Sequence, residues 1–176
     1  MPNDDRRFDP QHRDSLLERA GLGVGHTALD LGCGPGFWAL PMAHIVGASG
    51  QVIALDVSRE MLDALAARNP PAHIRLMQSE LPAINLPDSS VDFIWTAFVF
   101  HEVEPPSALA AETRRVLRPG GRLAVLDWRP DASSESGPPR HHRLSPEQVQ
   151  QCLLPAGFAH INQIWQDKDA YLVSAE

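Results

Sequence analysis

The stretch Ala28-Leu29-Asp30-Leu31-Gly32-Cys33-Gly34-Pro35-Gly36 decides how the rest of the chain is read. An apolar run containing an acid is followed by glycine at every second position and then by an amphipathic segment, the pattern of a buried strand turning abruptly into a helix. Gly32, Gly34 and Gly36 have no Cβ to hold a bound molecule away from the backbone, and glycine reaches φ > 0 without strain. Asp30, at the strand's exit, can accept hydrogen bonds from loop amides or from a ligand ammonium group. The corner reads as a ligand seat, although a glycine-rich turn with no ligand has the same local grammar.

Spacing narrows the ligand. A dinucleotide fingerprint reads G-x-G-x-x-G with a helix N-terminus aimed at a pyrophosphate, whereas these glycines fall at 32, 34 and 36 behind an acid at 30. A carboxylate beside the turn suits a cation better than a diphosphate. Asp30-x-Gly32-x-Gly34-x-Gly36 resembles the first motif of the class I S-adenosylmethionine-dependent methyltransferases, and Leu29 to Gly36 is close to its commonest spelling. The resemblance implies S-adenosyl-L-methionine as cofactor, with Asp30, Gly32, Cys33, Gly34 and Gly36 around it.

The whole chain fits that scale. Its 176 residues suit one domain spanning 1–176, with an N-terminal helix or lid over 1–22 and an irregular loop over 130–144. Hydrophobic residues at 43 % and charged residues at 21 % are ordinary for a globular protein. The longest apolar run, Phe93 to Phe100, is too short to cross a bilayer, and Met1 to Arg7 lacks the apolar core of a signal peptide, so a cytoplasmic protein is expected. A formal net charge of −7 argues against gripping nucleic acid, which needs many phosphate-neutralising cations. Cys33 and Cys152 form neither a disulfide framework nor a C-x-x-C pair, and no metal is expected. The expected partner is a small-molecule acceptor, bound by a monomer or homodimer.

Along the chain, Asp9 and Pro10 read as an N-cap and first helical residue, with Leu16, Leu17 and Ala20 as the apolar face and Gly21 as the stop. In the methyltransferases this chain resembles, a comparable segment lies over the cofactor, which makes Phe8, His12 and Arg13 lid candidates; a solvated helix face is the competing reading. Phe37 to Val46 is a helix ended by Gly47, and Gln51 to Leu55 a second strand closed by Asp56. An acid there can take both hydroxyls of a ribose, a role common to nucleotide-binding and S-adenosylmethionine-binding folds. Ser58 caps the next helix, with Glu60 placed against the dipole. The resemblance sets Val57 and Met61 beside the adenine ring; core packing is the alternative for Met61.

Asn69-Pro70-Pro71 stops that helix, and His73 to Gln78 is a third strand. Leu86-Pro87-Asp88-Ser89-Ser90-Val91-Asp92 resembles the family's entry into its fourth strand, which puts Glu80 where an acid would accept the adenine amino group and Leu81 where a backbone NH would meet an adenine nitrogen. Val91 to Thr96 reads as a fully apolar strand, and the resemblance carries its exit, from Thr96, under the methionine end of the cofactor. An Asn-Pro-Pro-Tyr type of tetrapeptide is missing at that exit, which counts against amide and base N-methylation. His101 and Glu102 are the candidates for a general base or substrate-orienting pair, or else His101 caps local backbone.

Pro106 and Ser107 open another helix, and Leu117-Arg118-Pro119-Gly120-Gly121-Arg122 leads into a strand over Leu123 to Leu126. Trp128, past its carboxyl end, is a candidate wall of the substrate pocket. His141, His142 and Arg143, at the end of the loop, are candidates to clamp an anionic substrate or are plain polar surface. Ser145-Pro146-Glu147-Gln148 is a capping box opening the last helix, through Leu154. Phe158 to Trp165 and Tyr171 to Ser174 pair as antiparallel strands. The fold that the resemblance implies is α/β: a single-domain Rossmann-like three-layer sandwich on a mostly parallel seven-stranded sheet with an antiparallel C-terminal strand. The implied activity is methyl transfer from S-adenosylmethionine to a small molecule. A catalytically silent cofactor-binding subunit and a nicotinamide-dependent oxidoreductase are the alternatives.

Overall fold

Short apolar runs without polar alternation need cover on both faces, and here they line up in one seven-stranded sheet. The structure is a computed structural model describing residues 8–132 and 137–176. The strands are β1 (Thr27–Leu31), β2 (Gln51–Asp56), β3 (Ile74–Gln78), β4 (Val91–Ala97), β5 (Leu117–Trp128), β6 (Asn162–Gln166) and β7 (Ala170–Ala175). Their order is β3-β2-β1-β4-β5-β7-β6, parallel from β3 through β5, with β7 antiparallel to both β5 and β6. The helices are α1 (Pro10–Arg19), α2 (Ala39–Val46), α3 (Arg59–Ala66), α4 (Pro106–Val116) and α5 (Pro146–Leu153).

Alternate residues of each strand feed two separate cores. Ala28, Val52, Ala54, Phe93, Trp95 and Leu126 face one side with Leu17 of α1, Met42 of α2 and Leu65 of α3. Leu29, Leu31, Ile53, Ile94 and Val125 face the other with Leu109 of α4 and Val149 of α5. Three layers follow, as the sequence predicts. Because the chain builds outward from β1 to β3 and then returns to add β4, the order reverses between β1 and β4, and a crevice opens at their carboxyl ends.

The helix starts behave as their cap chemistry dictates. Asp9 accepts from His12 N at 2.9 Å with Pro10 behind it, Ser58 accepts from Met61 N at 3.3 Å, and Ser145 and Gln148 form the reciprocal capping box. Gly47, at φ +67°, ends α2 by donating to Ala43 O.

Several boundaries differ from the sequence reading. Helix α2 starts at Ala39, two residues late, because the glycine turn continues through Trp38, and α3 stops at Ala66, before Asn69. Strand β4 is not wholly apolar: Asp92 accepts from Thr27 N at 2.8 Å and from Arg118 at 2.6 Å, tying β1 and β5 to the amino end of β4. Strand β5 begins at Leu117, which pairs with Val91 before the Arg118 to Gly121 segment bulges out and pairing resumes at Arg122. Phe158 is buried core, and β6 starts only at Asn162. No helix among the described residues is long and apolar enough to cross a membrane.

The N-terminal lid reading also changes. Leu16, Leu17 and Ala20 are buried, and Arg13 donates to Phe37 O at 2.8 Å while lying over the Phe37 ring, so α1 is packed onto α2 as core. Residues 1–7 of the expected lid and 133–136 of the expected loop lie outside the described residues. Leu17→Ala should lower the unfolding free energy by about 2–5 kcal/mol in urea titration, as for a filled core site; a change below about 0.5 kcal/mol would mean α1 is a detachable cover.

Candidate active site

The crevice is built from amides that leave the β1 ladder. Gly32 N and Cys33 N both donate to Leu55 O, at 2.8 and 2.9 Å, and Gly34 N donates to Asp56 Oδ2 at 2.8 Å. Asp56 Oδ1 accepts from Ser58 N at 2.8 Å, so this one carboxylate at the exit of β2 braces both the glycine turn and the start of α3. Each oxygen keeps a second lone-pair site for a ligand hydroxyl.

The three glycines divide their work in a way the motif does not reveal. A Cβ on Gly32 would lie 2.4 Å from Val99 Cγ2, and one on Gly36 would lie 2.3 Å from Leu65 Cδ1, so both are glycine for internal packing. Only Gly34, at φ +51°, would project a Cβ into open space. Of the three, Gly34 is the one with room beside its backbone for a ligand. Asp30 is buried within β1 beside Cys33, whose thiol is pushed well up by burial and by the Asp30 and Asp56 charges. Cys33 is therefore a small buried spacer and no thiolate.

The adenine-side candidates sit where β2 and β3 end. Val57 is exposed, Gln78 donates to Val57 O at 3.1 Å, and Met61 is half-buried in the first turn of α3. Glu80 is exposed, and with Leu81 it lines an open groove of about 880 Å³ running from Ser79 to Asn85 against Glu112. Thr96 is fully buried at the end of β4, in register with Leu31, and its hydroxyl finds no hydrogen-bond partner among the described residues.

Beyond β4 the backbone is strained. Phe98 has φ +60°, a region bulky side chains avoid at a cost of about 1–3 kcal/mol. Its N–H is held by Leu126 O at 2.8 Å, and its ring packs 4.8 Å from Trp128 and 6.4 Å from Phe8. Phe8, Trp38, Trp165 and His12 complete an aromatic wall, with Phe8 5.5 Å from Trp38 and His12 5.4 Å from Trp165. The strained exit lets Val99 press on Gly32 and delivers His101 to a short 3-10 turn over Phe100–Glu102.

The two candidates for a general base or substrate-orienting pair, His101 and Glu102, sit in different surroundings. His101 Nδ1 lies 2.7 Å from Asp127 Oδ1, and His101 N donates to Asp127 Oδ2 at 3.2 Å; Glu102 is exposed. Asp127, fully buried at the end of β5, also accepts from Trp128 N at 2.7 Å. Burial alone pulls the His101 pKa down, but the hydrogen bond and charge of Asp127, aided by Glu102 against Arg143, leave it raised overall. Asp127 is absent from the sequence candidates; an acid closing an apolar strand, as Asp56 closes β2, was the available signal.

The other substrate candidates are less free than their composition implies. Trp128 is buried between Phe98, Gly137 and the Arg143 guanidinium, whose Cζ lies 5.6 Å from the ring. Arg143 is itself buried and donates to Pro138 O and Arg129 O, so it straps the loop down and cannot serve as an exposed anion clamp. His142 is exposed on the 3-10 turn Arg140–His142, edge-on to His141. No cluster suited to a metal ion occurs among the described residues.

Comparison with known proteins gives this arrangement a family. Residues 29–125, more than half the chain, match the family described as a methyltransferase domain. The chain belongs to the class I S-adenosylmethionine-dependent methyltransferases. A solved S-adenosylmethionine-dependent methyltransferase from Aquifex aeolicus superposes with a TM-score of 0.85 at 33 % identity, over 99 % of this chain and 93 % of that one. The ubiquinone/menaquinone biosynthesis C-methyltransferase UbiE of Cellvibrio japonicus is 35 % identical over 116 residues, covering 64 % of this chain and 47 % of the relative. The demethylmenaquinone methyltransferase of Oceanobacillus iheyensis is 32 % identical over 120 residues, covering 65 % and 50 %. The chain spans about half the length of these curated relatives.

The methyltransferase's cofactor is S-adenosylmethionine, and the residues present fit it. The open space at Gly34 and the spare acceptor sites of Asp56 lie at the crevice edge of the sheet.

Gly34→Ala should cost only about 1–2 kcal/mol of stability yet weaken S-adenosylhomocysteine binding at least tenfold by calorimetry, whereas Gly36→Ala should lose more stability through its collision with buried Leu65. Equal effects of the two would refute the division of roles. The pKa of His101 is raised in the folded state, so its contribution to stability is fully present below its unfolded value, about 6.5, and is lost as pH rises through the folded value. The stability advantage of wild type over His101→Gln should shrink from pH 6 to pH 9 in urea titrations.

Proposed function

We propose that this methyltransferase acts on a small, ring-bearing acceptor of the hydroquinone type, as the names of its relatives UbiE and demethylmenaquinone methyltransferase suggest for theirs. The observation that carries the reading is the aromatic wall of Phe8, Phe98, Trp128 and Trp165 beside a buried histidine at the exit of β4. Flat apolar surfaces favour a planar acceptor, and a neutral imidazole can take a proton from a phenolic or activated ring position.

S-adenosylmethionine, when bound, supplies an already activated sulfonium methyl group. What falls to the chain is positioning and the exclusion of water. In this reading Asp30, Gly32, Cys33, Gly34, Gly36 and Thr96 line the methionine side and Asp56 takes the ribose. Val57, Met61, Glu80 and Leu81 border the adenine. Phe8, His12 and Trp128 bound the acceptor, and His101 accepts its proton. The chain works in the cytoplasm as a monomer or homodimer.

Calorimetry with S-adenosylhomocysteine and a methyl-transfer panel of naphthohydroquinone, catechol, a thiol and an amine test the proposal. Binding in the micromolar range, at least tenfold weaker in Asp56→Ala, and transfer to the hydroquinone are expected. Binding without transfer to any ring acceptor would leave the cofactor assignment standing and overturn the acceptor.

A further inference from the structure

We infer that Asp127 is a positioning residue for His101, and that the two form an acid–base dyad in which His101 Nε2 is the proton acceptor; this rests on the methyltransferase reading above. The geometry is that of an oriented imidazole. His101 Nδ1 sits 2.7 Å from Asp127 Oδ1, and the same carboxylate is fixed by His101 N at 3.2 Å and Trp128 N at 2.7 Å. Asp127 is fully buried near the end of β5, an inner strand between β4 and β7. A carboxylate has no donor of its own, so the proton between the pair lies on Nδ1.

That assignment leaves the lone pair of the neutral ring on Nε2. Nε2 bonds to none of the described residues, on a side chain that is itself buried beside Asp127. The segment that carries the ring is anchored at the glycine corner, since Val99, two residues before His101, fills the space where Gly32 would carry a Cβ. A capping histidine would need only one bond to backbone. A buried carboxylate that fixes two amides and orients an imidazole whose far nitrogen has no partner among the described residues is a different arrangement, one suited to a nitrogen that accepts a proton.

The proton balance follows. The acceptor's bond to hydrogen breaks and its proton goes to Nε2. The electron pair stays on the acceptor, where the bond to the methyl carbon forms as the sulfur–methyl bond breaks and its pair returns to sulfur. The resulting imidazolium keeps its Nδ1–H on Asp127, so one charge appears against a fixed opposite charge instead of in a bare apolar cavity.

The groups that face His101 are few. Asp127 comes from β5, Glu102 from its own turn and Arg143 from the strapped loop. Tyr171, in register with Asp127 on β7, gives its hydroxyl to Leu144 O at 2.9 Å, and burial with the Asp127 charge keeps it protonated. Removing the carboxylate therefore moves the titration in one direction, downward. Glu102→Gln should move it far less, since Glu102 is exposed and not bonded to the ring.

The test uses nitrogen-15 histidine spectra of the full chain without cofactor, and the pH dependence of methyl transfer to naphthohydroquinone. In wild type, His101 should be the Nδ1–H tautomer with a titration above the ordinary histidine value. In Asp127→Asn the titration and the acid limb of kcat should both shift to lower pH. The plateau should fall about 10–100-fold with KM and S-adenosylhomocysteine affinity within threefold of wild type. A wild-type His101 carrying its proton on Nε2 overturns the inference with no variant needed. So does an Asp127→Asn protein that binds S-adenosylhomocysteine normally and keeps the wild-type acid limb. Loss of S-adenosylhomocysteine binding by the wild type would instead sink the family's cofactor assignment for this chain, a failure that the histidine spectra register separately.

Discussion

Everything at the crevice depends on where the backbone amides go when the chain leaves β1. A parallel strand that stops short orphans its N–H groups, and a buried orphan costs about 1–3 kcal/mol. Here the carbonyl of Leu55 takes two of them and the carboxylate of Asp56 takes a third. Both acceptors stand at the exit of β2, so the adjacent strand fixes the turn and a left-handed run of backbone at Gly32, Gly34 and Gly36 becomes the one way to close it. The same constraint makes Asp56 bifunctional. It is a structural tie at both ends, and a change there touches the glycine corner and the start of α3 together.

The second half of the crevice rests on packing instead of hydrogen bonds. Phe98 is held in an unfavourable backbone region because its ring is gripped by Trp128 and Phe8 and its amide by Leu126. Those contacts come from β5 and from the segment before α1. Packing α1 onto the sheet is thus part of the site, which explains why a helix with so few charged partners is buried along Leu16, Leu17 and Ala20. Strain of this kind persists only where the surroundings over-determine it.

How much of this the sequence discloses depends on the range of the forces involved. Caps, the glycine corner and the acid ending β2 are local or strongly periodic, and the layer order, the strand pairing and the capping box at Ser145 follow from them directly. Side-chain partners set by tertiary approach do not. Gly32 and Gly36 read the same as Gly34 until Val99 and Leu65 are seen against them. His101 and Glu102 are neighbours in sequence, but a 3-10 turn sends them to different environments, and the partner that matters lies 26 residues away. Arg143 reads as a cation free to bind an anion because nothing local announces that the loop folds its guanidinium over Trp128 and onto two carbonyls. Burial of a charged group is the least local property of a chain.

This division has a consequence for what each half can encode. On the β1 and β2 side the turn is held by backbone amides donated to the Leu55 carbonyl and the Asp56 carboxylate. On the β4 and β5 side the crevice is shaped by side chains, and a ring or loop residue there can change while the sheet stays intact. A methyltransferase built on this plan keeps its cofactor chemistry constant and redraws its acceptor by exchanging aromatic wall and base. The His101 and Asp127 pair is the exception on the variable side, because Asp127 also holds the amides of His101 and Trp128. A pair wired into the backbone in this way cannot be exchanged as freely as the aromatic residues around it, because losing Asp127 also leaves the amides of His101 and Trp128 without their acceptor.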